Sequence, residues 1–337
     1  MARRRLSERQ IERIRTIQER RRQRLADRTE RLLVELDEDR VERGWVVVRH
    51  GANLAVEDER GRVWHCLARQ NIGEPVCGDR VVWQRIDNRK GIVTALLERK
   101  SLLSRPDHSG RDKPLAANID QMVVVLAPRP EPSVYLLDQY LAAAELLGLS
   151  ALIVATKMDL LDEAEAASFR ERFAHYDALG YRLARVSLRQ EGSLPVLLDA
   201  LRGHTSILVG QSGVGKSSLV KALLPDREIQ IGRLSEATGL GRHTTSATTR
   251  YRLNAESCLI DSPGVRSFRL GAIGALDLGR GFRDIAPFLG HCRFSDCRHD
   301  QEPDCALKRG VETGEIHPER LATFRHLLRS CVQGPAG

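Results

Sequence analysis

Apolar and polar positions change rhythm along this chain. Between about residues 41 and 105, short apolar runs at 44–49, 53–57, 63–67, 78–84 and 91–95 are separated by turn residues such as Asp58-Glu59-Arg60-Gly61 and Asp87-Asn88. Alternation over a few residues, bounded by Gly, Asp and Asn, marks strands, and five in so short a span predict a small OB-type barrel. Trp45, Trp64 and Trp83, the only tryptophans, all fall here. Filling the barrel is the expectation for them, and stacking on RNA bases the alternative.

From about residue 118 strands and helices take turns. Strands are expected at 122–126, 152–155, 182–186 and 206–209, and helices at 135–147, 163–179, 195–201 and 218–224, the last ending before Pro225. That order predicts a parallel, doubly wound α/β sheet. Residues 318–332 form a basic amphipathic helix with Leu321, Phe324, Leu327 and Leu328 on one side, free to pack on its domain or to touch RNA.

The first 38 residues fit neither rhythm. Arginines dominate, and Ile11, Ile14 and Leu25 are too few for a core. This arm suits sequence-independent phosphate contacts, or else a solvated helix laced with Glu–Arg pairs. The whole chain of 337 residues carries a formal charge of +8, which favours a polyanionic partner. Seven cysteines in so long a chain do not suggest a disulfide scaffold. No apolar run approaches the roughly 18 residues of a membrane span, and Glu8, Glu12 and Glu19 argue against a transit peptide. A cytoplasmic protein with no membrane partner is expected.

Gly210-Gln211-Ser212-Gly213-Val214-Gly215-Lys216-Ser217 is a G-x-x-x-x-G-K-[ST] phosphate loop. Its glycines let backbone N–H groups close on phosphate oxygens, and the following helix, opening through Ser218, adds its positive end. Lys216 is expected to reach the outer phosphates and Ser217 to ligate Mg²⁺. Asp261 in Cys258-Leu259-Ile260-Asp261-Ser262-Pro263-Gly264 follows an apolar run, placed for Mg²⁺, with the Gly264 N–H available to a γ-phosphate. Residues 232–250 read as a flexible switch in which Thr244 or Thr245 completes the Mg²⁺ shell. Thr156-Lys157-Met158-Asp159 is similar to the [N/T]-K-x-D guanine motif: Asp159 can accept from two donors that adenine lacks. Thr156 replaces the usual Asn, so the amide that braces the phosphate loop is missing. Ser187 stands where a loop would cover guanine O6.

Cys292-x4-Cys297-x-His299-x5-Cys305 offers three sulfurs and an imidazole, a closed structural zinc set. The stretch between them has no core, so one Zn²⁺ would supply folding energy there. Cys66, Cys77, Cys258 and Cys331 read as ordinary thiols.

The base motif precedes the phosphate loop, the reverse of ordinary GTPases, which implies a circularly permuted domain whose second switch leads into the zinc domain. Together with Gly78-Asp79-Arg80-Val81, Ala117-Asn118-Ile119-Asp120-Gln121 and Gly241-Arg242-His243-Thr244-Thr245, these motifs resemble the circularly permuted, small-ribosomal-subunit-dependent GTPases, the RsgA/YjeQ family. A multidomain chain is expected: the arm at 1–38, which lies outside the resemblance, and then, as the resemblance implies, an OB-fold at 39–112, a permuted GTPase domain at 113–277 and a mostly α zinc-binding domain at 278–337. The resemblance further implies a monomer that binds GTP, GDP and small-subunit rRNA, with hydrolysis stimulated by the subunit late in its assembly. Val265 occupies the position of the usual catalytic Gln, and His243 is the candidate to position water instead. Gly213 stands where some relatives carry a K⁺-binding Asn, so little K⁺ stimulation is expected. The competing readings are a GTP-binding RNA scaffold with negligible turnover, a large-subunit GTPase and an ATP-using P-loop enzyme.

Overall fold

The structure, a computed structural model, describes residues 41–106, 112–190, 192–226, 230, 247–262 and 274–332. Five strands open it: β1 (Val41–His50), β2 (Asn53–Asp58), β3 (Val63–Ala68), β4 (Arg80–Arg85) and β5 (Lys90–Leu96). Their hydrogen-bonded order is β1-β2-β3-β5-β4, and a β1–β4 pairing closes the barrel. Alternation sends Val46, Leu54, Val56, Trp64, Val81, Trp83 and Val93 inward. Trp64 and Trp83 fill the interior with ring centroids 5.0 Å apart, so base stacking is not open to these two. Trp45 points to the opposite side of β1, where the Arg250 guanidinium lies 5.4 Å from its ring centroid.

A hairpin that the apolar pattern did not announce follows, β6 (Leu102–Pro106) with β7 (Asp112–Ala117). The α/β sheet then runs β10-β9-β8-β11-β13-β12, using β8 (Gln121–Leu126), β9 (Ser150–Ala155), β10 (Arg182–Arg185), β11 (Thr205–Gly210), β12 (Thr249–Arg252) and β13 (Cys258–Asp261). All are parallel except β12. The all-buried run of β8 sits at the centre, as a strand covered on both faces must. Packed on the sheet are α1 (Val134–Leu147), α2 (Glu163–Ala178), α3 (Ser193–Ala200) and α4 (Lys216–Leu223). Ser133 caps α1 through its hydroxyl, and Asp162 with Glu165 form a capping box on α2.

The expected flexible segment ended at Arg250, but Thr249–Arg252 is a strand. Its alternation explains this: Thr249 and Tyr251 are buried, while Arg250 reaches Glu57 at 2.7 Å. β12 pairs with β13 on one side and touches β1 at Val48 on the other, so barrel and α/β sheet form one continuous surface. The motif residues 78–81 and 117–121 stitch the same joint. Gly78 has φ +86°, a left-handed conformation, and a Cβ there would lie 2.2 Å from the Ala117 carbonyl oxygen. Asn118 donates to the Gly78 carbonyl at 3.0 Å.

The C-terminal part contains α5 (Ala275–Arg280), α6 (Ala306–Glu312) and α7 (Pro318–Val332). Leu278, Phe282, Ile285, Leu307, Ile316, Leu321, Phe324 and Leu327 form its core with Ala142 of α1. The apolar face of α7 therefore packs on its domain. Arg320 on the same helix is buried, donating through Nε and Nη2 to both Asp284 oxygens at 2.7 Å and through Nη1 to Asp138 of α1 at 2.6 Å.

Candidate nucleotide site and metal centre

β11 runs into the loop 211–215 and then α4, the strand–turn–helix context a phosphate loop needs. Gly210 has φ +134°, and a Cβ there would meet the Val125 carbonyl oxygen of β8 at 2.2 Å. Only glycine lets the loop leave the sheet at this point. Gly213 and Gly215 also have positive φ. Val214 is fully buried and anchors the loop in the core, while Ser212 and Gly213 are exposed. Lys216 Nζ donates to the carbonyls of Gly210 at 2.7 Å and Gln211 at 2.5 Å, arching over the loop. Gln211 accepts from the Ser133 N–H at 3.2 Å. Ser217 and Ser218 lie exposed in the first turn of α4, whose cap residue Gly215 has no side chain to occupy the turn's N–H groups.

The base motif leaves the end of β9, two strands from β11. Thr156 is buried, and its Oγ1 donates toward the Val214 carbonyl at 2.5 Å, with the Leu126 carbonyl 3.2 Å away. The absent Asn amide was expected to leave the phosphate loop unbraced. Instead the threonine hydroxyl makes the brace, because the β9 terminus lies close enough for a shorter side chain. Lys157, with φ +55°, donates from Nζ to the Gly213 carbonyl at 2.6 Å and the Arg129 carbonyl at 3.2 Å. Base motif and phosphate loop are thus one hydrogen-bonded body.

Asp159 Oδ1 accepts from Ser187 Oγ at 2.6 Å, and Arg189 Nε lies 3.8 Å from Oδ2. The Ser187 hydroxyl, then a backbone N–H and Arg189, hold the Asp159 carboxyl below its ordinary range. It is ionised at neutral pH and remains an acceptor. Asp261 ends β13, which runs parallel to β11 with Ile260 paired to Ile207. This register sets Asp261 beside the strand that feeds the phosphate loop. Thr248 and Ser262 share a hydrogen bond at 2.9 Å. His243, Thr244, Thr245, Gly264 and Val265 lie outside the described residues, as does the arm 1–38.

Cys292, Cys297, His299 and Cys305 converge, with all four ligand atoms within 4.8 Å of one another. Cys292 and Cys305 sulfurs are 3.9 Å apart, and His299 Nδ1 lies 3.4 Å from the first and 3.5 Å from the second. Tetrahedral zinc with Zn–S about 2.3 Å and Zn–N about 2.0–2.1 Å requires edges of about 3.8 Å and 3.5 Å. The donor set therefore fits zinc. The N–H groups of His299 and Ala306 point at the Cys297 and Cys292 sulfurs, both at 3.4 Å, and such bonds favour thiolates. In a metal-free cluster, burial and then the neighbouring thiols push the Cys297 thiol up to about 12. Cys66 is pushed up to about 12 by burial, and burial raises Cys77 and Cys258 as well, consistent with inert thiols.

The Arg320–Asp138–Asp284 cluster was not anticipated. In sequence Arg320 is one more cation on a basic helix, and both its partners are distant. Nor was the stack of His175 on His317, centroids 4.0 Å apart.

Residues 96–271 match the RsgA GTPase family. The chain is 45% identical to the small ribosomal subunit biogenesis GTPase RsgA of Azotobacter vinelandii and to that of Pseudomonas aeruginosa, each alignment covering 98% of both proteins. The chain belongs to the RsgA GTPase family. Two solved structures are similar in fold. YjeQ from Thermotoga maritima superposes with a TM-score of 0.71 at 31% identity, covering 87% of this chain and 99% of that one. YloQ, described as a circularly permuted GTPase, gives 0.68 at 28% identity over 88% and 97%. Permutation places the base motif of this RsgA-family chain before its phosphate loop, and the sheet still brings the two together.

Proposed function

We propose that this chain hydrolyses GTP and acts in the cytoplasm as a monomeric factor for late assembly of the small ribosomal subunit, whose rRNA it contacts. The observation that carries the nucleotide reading is the single hydrogen-bonded body of Asp159, Lys157, Thr156 and the loop at Val214 and Gly213. A guanine on Asp159 and phosphates on the loop would be gripped by one rigid frame. The subunit reading rests on the 45% identity to relatives named for small-subunit biogenesis.

In this reading Asp159, oriented by Ser187, accepts from guanine, and the stem of Lys157 covers the base. N–H groups of Gly210, Gln211, Ser212, Gly213, Val214, Gly215 and Ser218 surround the phosphates with Lys216 and Gly264. Mg²⁺ would be held by Ser217, Asp261 and Thr244 or Thr245, and when bound it neutralises charge developing on the β- and γ-phosphates. The ligand positions fit, since Ser217 is exposed at the helix start and Asp261 ends the adjacent strand. One structural Zn²⁺ would occupy Cys292, Cys297, His299 and Cys305. With Val265 unable to orient water, His243 positions it once the subunit is bound. Among the described residues no helix is long and apolar enough to cross a membrane.

Turnover measured with and without purified small subunits, in GTP and in ATP, tests the reading. Strong stimulation with GTP alone supports it. Equal rates with ATP, or turnover unmoved by subunits, defeat it. A His243→Ala chain that keeps wild-type stimulated turnover removes the role given to His243.

A further inference from the structure

Outside the nucleotide and metal sites, a cavity of about 560 Å³ opens on the outer face of the barrel. Its lining is Arg43, Arg80, Leu97, Glu98, Arg99 and Lys100. With the Arg99 charge matched by Asp79, three cations, Arg43, Arg80 and Lys100, stand against the one carboxylate of Glu98. Register explains how two of them meet. Arg43 pairs with Val82 across β1 and β4, and Arg80 lies two residues along β4 from Val82. Arg43 and Arg80 therefore share one face as diagonal neighbours, roughly 7–8 Å apart at the backbone. The inward residues are Val81 and Trp83, so this shared face looks away from the barrel interior.

The rest of the cavity is held rigidly. Arg99 donates from Nε and Nη2 to the two oxygens of the fully buried Asp79, at 2.7 and 2.8 Å, and again from Nη2 to the Glu74 carbonyl at 2.7 Å. The N–H of Leu97 bonds the Arg80 carbonyl at 2.9 Å. The N–H of Lys100 bonds the Asn118 side chain at 3.0 Å, the same side chain that clamps Gly78. The cavity is thus built on the joint between barrel and α/β sheet. Arg43, Arg80 and Lys100 are exposed, and no ion pair of theirs is found among the described residues. Only Leu97 in the lining is apolar, and no aromatic side chain lines the cavity; Trp45, opposite Arg80 in the β1–β4 register, lies beside the Arg250 guanidinium instead. The lining offers charged donors suited to phosphate oxygens and no stacking platform of its own. In sequence it adjoins the Arg-rich stretch, which ends just before β1.

We propose that this cavity docks the phosphodiester backbone of RNA, with Arg43, Arg80 and Lys100 on neighbouring phosphates and Arg99 as the fixed wall behind them. Guanidinium forks suit phosphate oxygens, and separate point contacts on adjacent strands follow a chain of phosphates better than one compact anion. The proposal rests on the reading that the chain works on small-subunit RNA.

The test uses the full chain with both exposed arginines neutralised, Arg43→Gln and Arg80→Gln. Anisotropy of a labelled single-stranded RNA is followed against salt, alongside cosedimentation with small subunits. Each lost phosphate contact on a single strand flattens the slope of log K against log salt by about 0.7. The double variant should flatten it by about 1.4, so its affinity falls roughly sevenfold less than wild type over a fourfold salt increase. GDP binding should stay unchanged. A control pair on other surfaces, Arg202→Gln with Arg280→Gln, should keep the wild-type slope. An unchanged slope in the cavity variant, or an equal change in the control pair, overturns the cavity assignment. Pyrophosphate protection of Arg43 and Arg80 from arginine modification, with an unchanged RNA slope, also overturns it, in favour of a small-anion site. A wild-type chain that binds neither RNA nor subunits instead defeats the reading of function on which the proposal rests.

Discussion

Replacing Thr156 by valine removes one oxygen and keeps the branched shape. The lost group is the Oγ1 that lies 2.5 Å from the Val214 carbonyl, at a buried position between β9 and the phosphate loop. The Leu126 carbonyl keeps its other donor, the Thr156 N–H at 2.8 Å. The damage therefore falls on Val214. A buried acceptor stripped of its partner costs about 1–3 kcal/mol. Val214 is held in the core by its side chain, so the loop cannot swing out to find water cheaply. If about 1–2 kcal/mol of this appears as looser loop geometry, GDP binds roughly 5–30-fold more weakly. Titration with a fluorescent GDP analogue measures the change, and the melting temperature without nucleotide records the remainder. Thr156→Ser keeps the hydroxyl and should stay close to wild type. Valine-variant affinity within twofold of wild type, with an unchanged melting temperature, would refute the brace.

Three further outcomes are expected. Arg320→Met leaves Asp138 and Asp284 buried without their cation, a change worth about 3–5 kcal/mol in denaturant unfolding; Arg320→Lys should recover only part, since it cannot reproduce the fork. His175 is held down to about 4, first by burial and then by His317 and Arg320, while the unfolded chain titrates near about 6.5. Its folded-state value is depressed, so the stability it contributes is present above pH 6.5 and is lost as pH falls towards 4. Denaturant midpoints at pH 7 and pH 5 should therefore fall more for wild type than for His175→Asn, and parallel falls would contradict the assignment. Removing zinc with a strong chelator should release one metal per chain and expose residues 292–305 to protease, with Cys297→Ser behaving like the chelated protein; a chelated chain as resistant as the native one would exclude a structural metal.

Much of the α/β part is legible because its strands are short apolar runs and its helices carry apolar residues at helical spacing. The 122–126 run became β8, and the helices expected at 135–147 and 163–179 became α1 and α2 to within a residue at each end. β6, β7 and β12 were missed. Asp112–Ala117 opens with Asp, Lys and Pro, and Thr249–Arg252 carries two arginines, so neither has a strand-like apolar pattern, and they become strands through pairing with partners elsewhere in the chain. Lys216, Asp159 and the cysteine set were singled out from local spacing, since such motifs are written in nearby residues.

The sequence by itself determined which motifs this protein carries: a G-x-x-x-x-G-K-S loop, a T-K-x-D turn, a Cys₃His set and a five-stranded barrel. Tertiary structure alone decided how those parts are joined. It brought Thr156 onto Val214 across 58 residues and Arg320 onto Asp138 across 182. It also made the basic cavity of Arg43 and Arg80 from strands that the sequence keeps far apart. The reason is physical. Backbone periodicity and loop chemistry act over a few residues, whereas a hydroxyl on a distant carbonyl or a shared buried charge depends on the register and packing of the whole sheet.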